Sequence, residues 1–171
     1  IEVARAALGR PLPANVPDVA SALAGLVGAL KIRHHGDYHL GQTLYLTAQA
    51  DFVIVDFEGE PLRPLAERRR KHTAMRDVAG LLRSISYAAA ADHDGRPARW
   101  REIWEVEGRR TFVDGYRSAV HGSHFVPGTT AAFDAAVAAF ELEKAAYEIV
   151  YEAGHRPAWV GGRAQARLRA L

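Results

Sequence analysis

The sequence predicts a mainly α-helical α+β fold in which one small β-hairpin carries a loop at each end. Three observations predict it. Apolar residues recur at steps of three and four over 17–30 and again over 75–91, the period of helices with one buried face. Two short runs, 43–47 and 52–55, are β-branched, aromatic or alternating and have 49–51 as the turn between them, as in a hairpin. Polar, glycine-rich and proline-rich stretches at 33–42 and 58–64 flank that hairpin on both sides and have neither period.

Taken in order, 17–30 reads as an amphipathic helix, with Val19, Leu23, Leu26, Val27 and Leu30 on one face behind the cap Asp18. The loop 33–42, the hairpin and the loop 58–64 follow. Val78, Leu81, Leu82, Ile85 and Ala89 form the stripe of the next helix, whose Arg76, Asp77, Arg83 and Ser84 face elsewhere. The segment 98–120 is helical but interrupted at Gly108 and Gly115, with Trp100 and Trp104 assigned to packing. A long helix then starts at Thr129 or Thr130, runs to about Glu152 and is closed by Gly154 and Pro157. The 171 residues make one compact unit, 1–161, followed by a tail, 162–171, to which no function is assigned.

Composition narrows the class. A formal net charge of +2 implies no nucleic-acid partner, and Arg68, Arg69, Arg70 and Lys71 read as a solvated face. No apolar run has the ~18 residues a membrane helix needs. The chain lacks cysteine, so it has no disulfide framework or thiolate metal site, which fits the cytoplasmic location expected here but equally permits other places. It opens at Ile1 without a signal-like segment, as a piece of something longer would.

Chemistry concentrates at the hairpin ends. His35, Gly36, Asp37, Tyr38, His39 and Gln42 precede the hairpin, and Asp56, Phe57 and Glu58 follow it. Because a hairpin returns the chain to its start, Asp37, Gln42 and Asp56 should converge. A carboxylate able to accept a hydroxyl proton, beside a carboxylate and an amide oxygen able to hold magnesium, is the oxygen set that phosphoryl transfer uses. His34, His35 and His39 are a poorer fit to zinc, since no helical His-x-x-x-His pair accompanies them. On the long helix, Lys144, Tyr147 and Tyr151 share one face. They suit either a sugar platform or ordinary half-buried packing, with Lys144 paired to Glu141 or Glu148.

The string HGDYHLGQ followed by DFEGEP resembles the catalytic and metal-binding motifs of aminoglycoside-phosphotransferase-like kinases, and within them most resembles the maltokinases, free-standing or fused to trehalose synthase. The likeness continues through RDVAGLLRS, FVDGYR and ELEKAAYEIVYEAGHRPAW. It implies the C-terminal lobe of a protein-kinase-like fold, with catalytic loop 33–42, metal loop 56–61 and acceptor helix 129–153. It implies Asp37 as the catalytic base, Gln42 and Asp56 as Mg2+ ligands, ATP as donor, and Asp77 as a brace for the catalytic loop. His39, Glu58, Lys144, Tyr147, Tyr151 and Trp159 are then the residues that meet the acceptor, maltose or a similar small sugar. Trehalose synthase, fused or associated, is the partner it suggests. Before His35 there is no glycine-rich strand-turn-strand and no strand lysine, so the ATP-gripping N-terminal lobe is expected to be missing and the chain inactive alone. Another small acceptor, or a noncatalytic fragment, are the competing expectations.

Overall fold

The computed structural model describes residues 18–91 and 95–155. Trp159 and the tail 162–171 lie outside the described residues. The elements are α1 (Val19–Leu23), a 3-10 turn (Ala24–Leu26), a second 3-10 turn (Leu40–Gln42), β1 (Thr43–Leu46), β2 (Asp51–Ile54), α2 (Leu65–Arg68), α3 (Met75–Ala90), α4 (Ala98–Ala119) and α5 (Thr130–His155).

The base is α3 laid on α5, with α4 against α3 and α1 against α5. Every residue of the stripe expected on α3 is buried, and Met75 joins it. Met75, Val78, Ala79 and Leu82 meet Phe133, Ala136, Val137 and Phe140 of α5 in one cluster. Burying each large side chain there contributes roughly 1.5 to 3 kcal/mol. A charged staple adds to this. Arg109 of α4 donates to both oxygens of Glu141 on α5, at 2.8 and 2.9 Å, and to Leu82 O and Ser86 Oγ on α3, each at 3.1 Å.

The hairpin is built differently. β1 and β2 pair antiparallel from Thr43 opposite Ile54 to Leu46 opposite Asp51, and the sheet has only these strands. Both of its faces are open, with Leu44, Tyr45, Phe52 and Ile54 all exposed.

Several expectations need correction. The first helix is short, because the chain becomes extended at Val27 (ψ 123°), and Val27 and Leu30 are exposed rather than on a buried face. Helix α4 runs unbroken through Gly108 and Gly115. Two glycines cost about 1 kcal/mol each, which the Arg109 staple and the packing of Phe112, Val113 and Tyr116 against the core offset. Trp100 and Trp104 are 43% and 38% exposed and stack on each other, with the Arg96 guanidinium 4.2 Å over Trp100, so they pack on α4's own surface. Arg83 does not face solvent. It is buried and pairs with Glu148 at 3.3 Å. Thr129 caps α5, accepting from Ala132 N, but α5 continues through Gly154 to His155. Pro157 lies outside the described residues.

Candidate active site

The hairpin brings its ends together, and backbone contacts lock them. Val55 N donates to Gln42 O at 3.0 Å, and Gln42 Nε2 donates to Asp56 Oδ2 at 2.6 Å. His35 is buried. Its Nε2 lies 2.8 Å from Val55 O. Since a carbonyl only accepts, Nε2 carries the proton there and Nδ1 accepts from Asp37 N at 3.3 Å. One ring thus ties the loop before the hairpin to the residue that follows β2.

Glycine is required where these backbones touch. Gly36 has φ +86°, and a Cβ there would stand 3.2 Å from Gly59 Cα, so the two loops meet through glycines. At Gly80 a Cβ would stand 2.6 Å from Tyr38 O, so α3 lets the loop around Asp37 rest directly on its backbone. Asp77, at the start of α3, accepts from His35 N at 2.7 Å and Gly36 N at 2.9 Å. Leu40 N donates to Ser84 Oγ at 3.0 Å. The loop holding Asp37 is therefore clamped onto α3 at several points.

On the α5 side of this loop lies a cavity of about 450 Å3. Asp37, His39, Lys144, Tyr147, Glu148 and Tyr151 line it. Tyr147 and Tyr151 lie nearly parallel, 6.4 Å apart. Lys144 Nζ donates to Asp37 Oδ1 at 2.8 Å and to Glu60 Oε1 at 2.7 Å. Burial by itself would lower the pKa of this ammonium, but Glu60 and Asp37 outweigh it and the pKa is raised. The Tyr147 phenol is pushed up, by burial first and then by Glu60.

The structure thus gathers Asp37, His39, Lys144, Tyr147 and Tyr151 around one cavity and sets Gln42 against Asp56 at the hairpin mouth. Glu58 stands apart. Its carboxylate is exposed and 3.9 Å from Arg68, because the chain turns at Asp56 (φ +66°) and Gly59 (φ +78°) and the carboxylate returned to Asp37 is Glu60's. Sequence reasoning missed Glu60 and Arg63, and named Glu148 only as a surface partner for Lys144. Glu60 stood in the DFEGEP string, yet its partner Lys144 is 84 positions away, beyond the reach of local pattern. Lys144 is paired, but with neither Glu141, which binds Arg109, nor Glu148, which binds Arg83.

Whether magnesium suits Gln42 and Asp56 rests on their donors. Each carries a hard oxygen, but they touch through the Gln42 amide nitrogen, which donates to Asp56 Oδ2, so the Gln42 amide would have to turn over to offer its oxygen to a shared cation. Among the described residues no group of three or more His, Asp or Glu could hold a metal alone. Two oxygens alone would fill little of a cation's shell, and would suit one that takes the rest from phosphate oxygens and water. No described helix is long and apolar enough to cross a membrane.

Helices carrying a small hairpin, with a carboxylate lining an open-mouthed cavity and a glutamine–aspartate pair at the hairpin mouth, match a kinase-like fold. The comparisons agree at that level. No family model matches the chain. It is 32% identical over 112 residues to a glucosamine kinase from Streptacidiphilus jiangxiensis, spanning 62% of this chain and 24% of that protein. It is 31% identical over 150 residues to a glucosamine kinase from Mycolicibacterium smegmatis, spanning 85% and 36%. A solved glucosamine kinase in complex with glucosamine, ADP and inorganic phosphate superposes with a TM-score of 0.78 at 22% identity, over 99% of this chain and 41% of that one. Another crystal form gives 0.76 at 23% identity. The chain spans well under half the length of these relatives. Neither maltose nor trehalose synthase figures in them.

Proposed function

We propose that this chain supplies the acceptor-binding and metal-binding half of the active site of an ATP-dependent sugar kinase. The observation that carries the reading is the convergence of Asp37 with Lys144, Tyr147 and Tyr151 around one cavity, next to the Gln42–Asp56 pair. Asp37 orients a sugar hydroxyl and takes its proton as phosphorus–oxygen bonding develops. Gln42 and Asp56 would hold magnesium, which neutralises phosphate charge when bound. Asp77 keeps the catalytic loop in place through its two backbone hydrogen bonds. The half that grips the nucleotide would come from a further lobe. The share of the relatives that this chain spans supports that division, and so does a hairpin with both faces bare.

For the acceptor we favour an amino sugar of the glucosamine kind. The relatives carry that name, and the half-buried Glu148 carboxylate, paired with Arg83 at 3.3 Å, lines the cavity. Maltose is the second reading. It is favoured by the near-parallel Tyr147 and Tyr151 rings, a surface on which sugar rings stack, and by the HGDYHLGQ motif. The test is to assay the complete kinase with glucosamine, glucose and maltose in parallel. A kcat/KM for glucosamine at least about tenfold above the others is expected from a site that hydrogen-bonds the ligand amine. Preference for maltose would replace the first reading with the second, and transfer to none of these sugars would remove both.

A further inference from the structure

Lys144 has a long, flexible stem, yet its ammonium is committed to two carboxylates, Asp37 and Glu60. Among the described residues, Asp37 Oδ1 takes that bond while Oδ2 accepts none. What fixes the ammonium is Glu60, which is only 4% exposed. Its other oxygen is gripped by the Nε of Arg63. Arg63 is itself held by Glu67 at 2.5 Å and Glu143 at 3.0 Å, and Glu143 also binds Arg76 of α3 at 2.6 Å. An unbroken chain of ion pairs therefore runs from α3 through Arg63 and Glu60 to Lys144 and ends on the proposed base. Had Lys144 only Asp37 for a partner, its stem would be free to follow substrate phosphate or sugar.

We infer that Glu60 is a positioning residue of the active site: anchored by Arg63, it holds the Lys144 ammonium in place, so that one oxygen of Asp37 is fixed and the other is left to meet the acceptor hydroxyl. This rests on the reading of Asp37 as the base. It also revises the place of Lys144, which serves Asp37 first and any sugar hydroxyl second. Misplacing a reacting group by about 1 Å can cost on the order of a hundredfold in rate, so the clamp acts on turnover more than on sugar binding.

Glu60→Gln keeps the shape and removes the charge, and two readouts test it. In the 171-residue chain, the Lys144 ammonium is followed by NMR through a pH titration. Its midpoint should fall by about one pH unit in the variant, as expected on losing a buried partner charge, with the rest of the spectrum preserved. In the complete kinase, the same variant should lose at least about tenfold in kcat while KM for the sugar stays within about threefold, the pattern of an interaction expressed in the transition state. An unmoved Lys144 midpoint overturns the clamp, and so does an unchanged kcat. A raised KM with unchanged kcat would make Glu60 a sugar ligand instead. Should the unaltered kinase phosphorylate no sugar, the functional reading falls, and the titration still decides whether Glu60 holds Lys144. If Glu60→Gln unfolds the chain, Arg63→Gln, which frees Glu60 from its anchor, must reproduce the loss in kcat or the inference fails.

Discussion

The two sides of the catalytic loop are built by different means. Toward α5, Asp37 is tied to buried charge, Lys144 and Glu60, and through them to the helical base. Toward the hairpin, Gln42 and Asp56 touch only at the mouth of a sheet whose faces are bare. A lone two-stranded hairpin is marginally stable in water, whereas the cluster of α3 and α5 has the packing of a protein interior. On the proposed reading, the side facing α5 is the one this chain builds by itself, and the Gln42–Asp56 side would take phosphate oxygens and a covering lobe.

The contrast can be broken or sharpened at four points, ordered by expected size. Asp37→Ala in the complete kinase should lower kcat by a hundredfold or more, as loss of a general base does, with KM for the sugar little changed. Steady-state kinetics check it, and near-normal turnover would deny Asp37 its role. Leu82→Ala should destabilise the chain by about 3 kcal/mol, since it opens a cavity in the base. Urea unfolding measures this, and a loss under 1 kcal/mol would mean that the helical base is looser than its burial implies.

The third point is pH. His72, bridged to Ile32 and edge-on to Phe140, has its pKa pulled down to about 4, by burial first and then by Arg76 and His34. A histidine whose folded pKa lies below its unfolded value of 6.5 stabilises the fold fully above that value, and the contribution is lost as pH falls toward 4. Thermal melts should therefore weaken between pH 6.5 and 4, and His72→Gln should flatten that dependence. Smallest of all, Phe52→Ser on the open hairpin should change stability by no more than about 0.5 kcal/mol, the range of ordinary surface substitutions. A larger cost would show that the hairpin is already covered.

What was legible in the sequence follows from the range of each interaction. The hairpin, its two loops and the α3 stripe are local patterns, and so were readable to within a few residues. The meeting of Asp37, His39 and Tyr151 followed from a family motif rather than from spacing alone. Glu60 was overlooked in favour of Glu58 because the φ values of Asp56 and Gly59 decide which carboxylate turns inward, and no residue pattern announces a left-handed aspartate. Arg83 and Arg109 look like surface charges in sequence. Their partners Glu148 and Glu141 are 65 and 32 positions away, so the burial of Arg83 and the half-burial of Arg109 are set by tertiary pairing.

The claim that the acceptor side is complete here while the nucleotide side is not is tested most directly by NMR titration of the 171-residue chain, first with glucosamine and maltose, then with magnesium and ADP. Sugar should shift Lys144, Tyr147 and Tyr151 saturably at millimolar concentration, and magnesium–ADP should shift Gln42 and Asp56 only weakly, without saturation, as expected of a cation site with few protein ligands. Saturable magnesium–ADP binding with no response to either sugar would contradict the account.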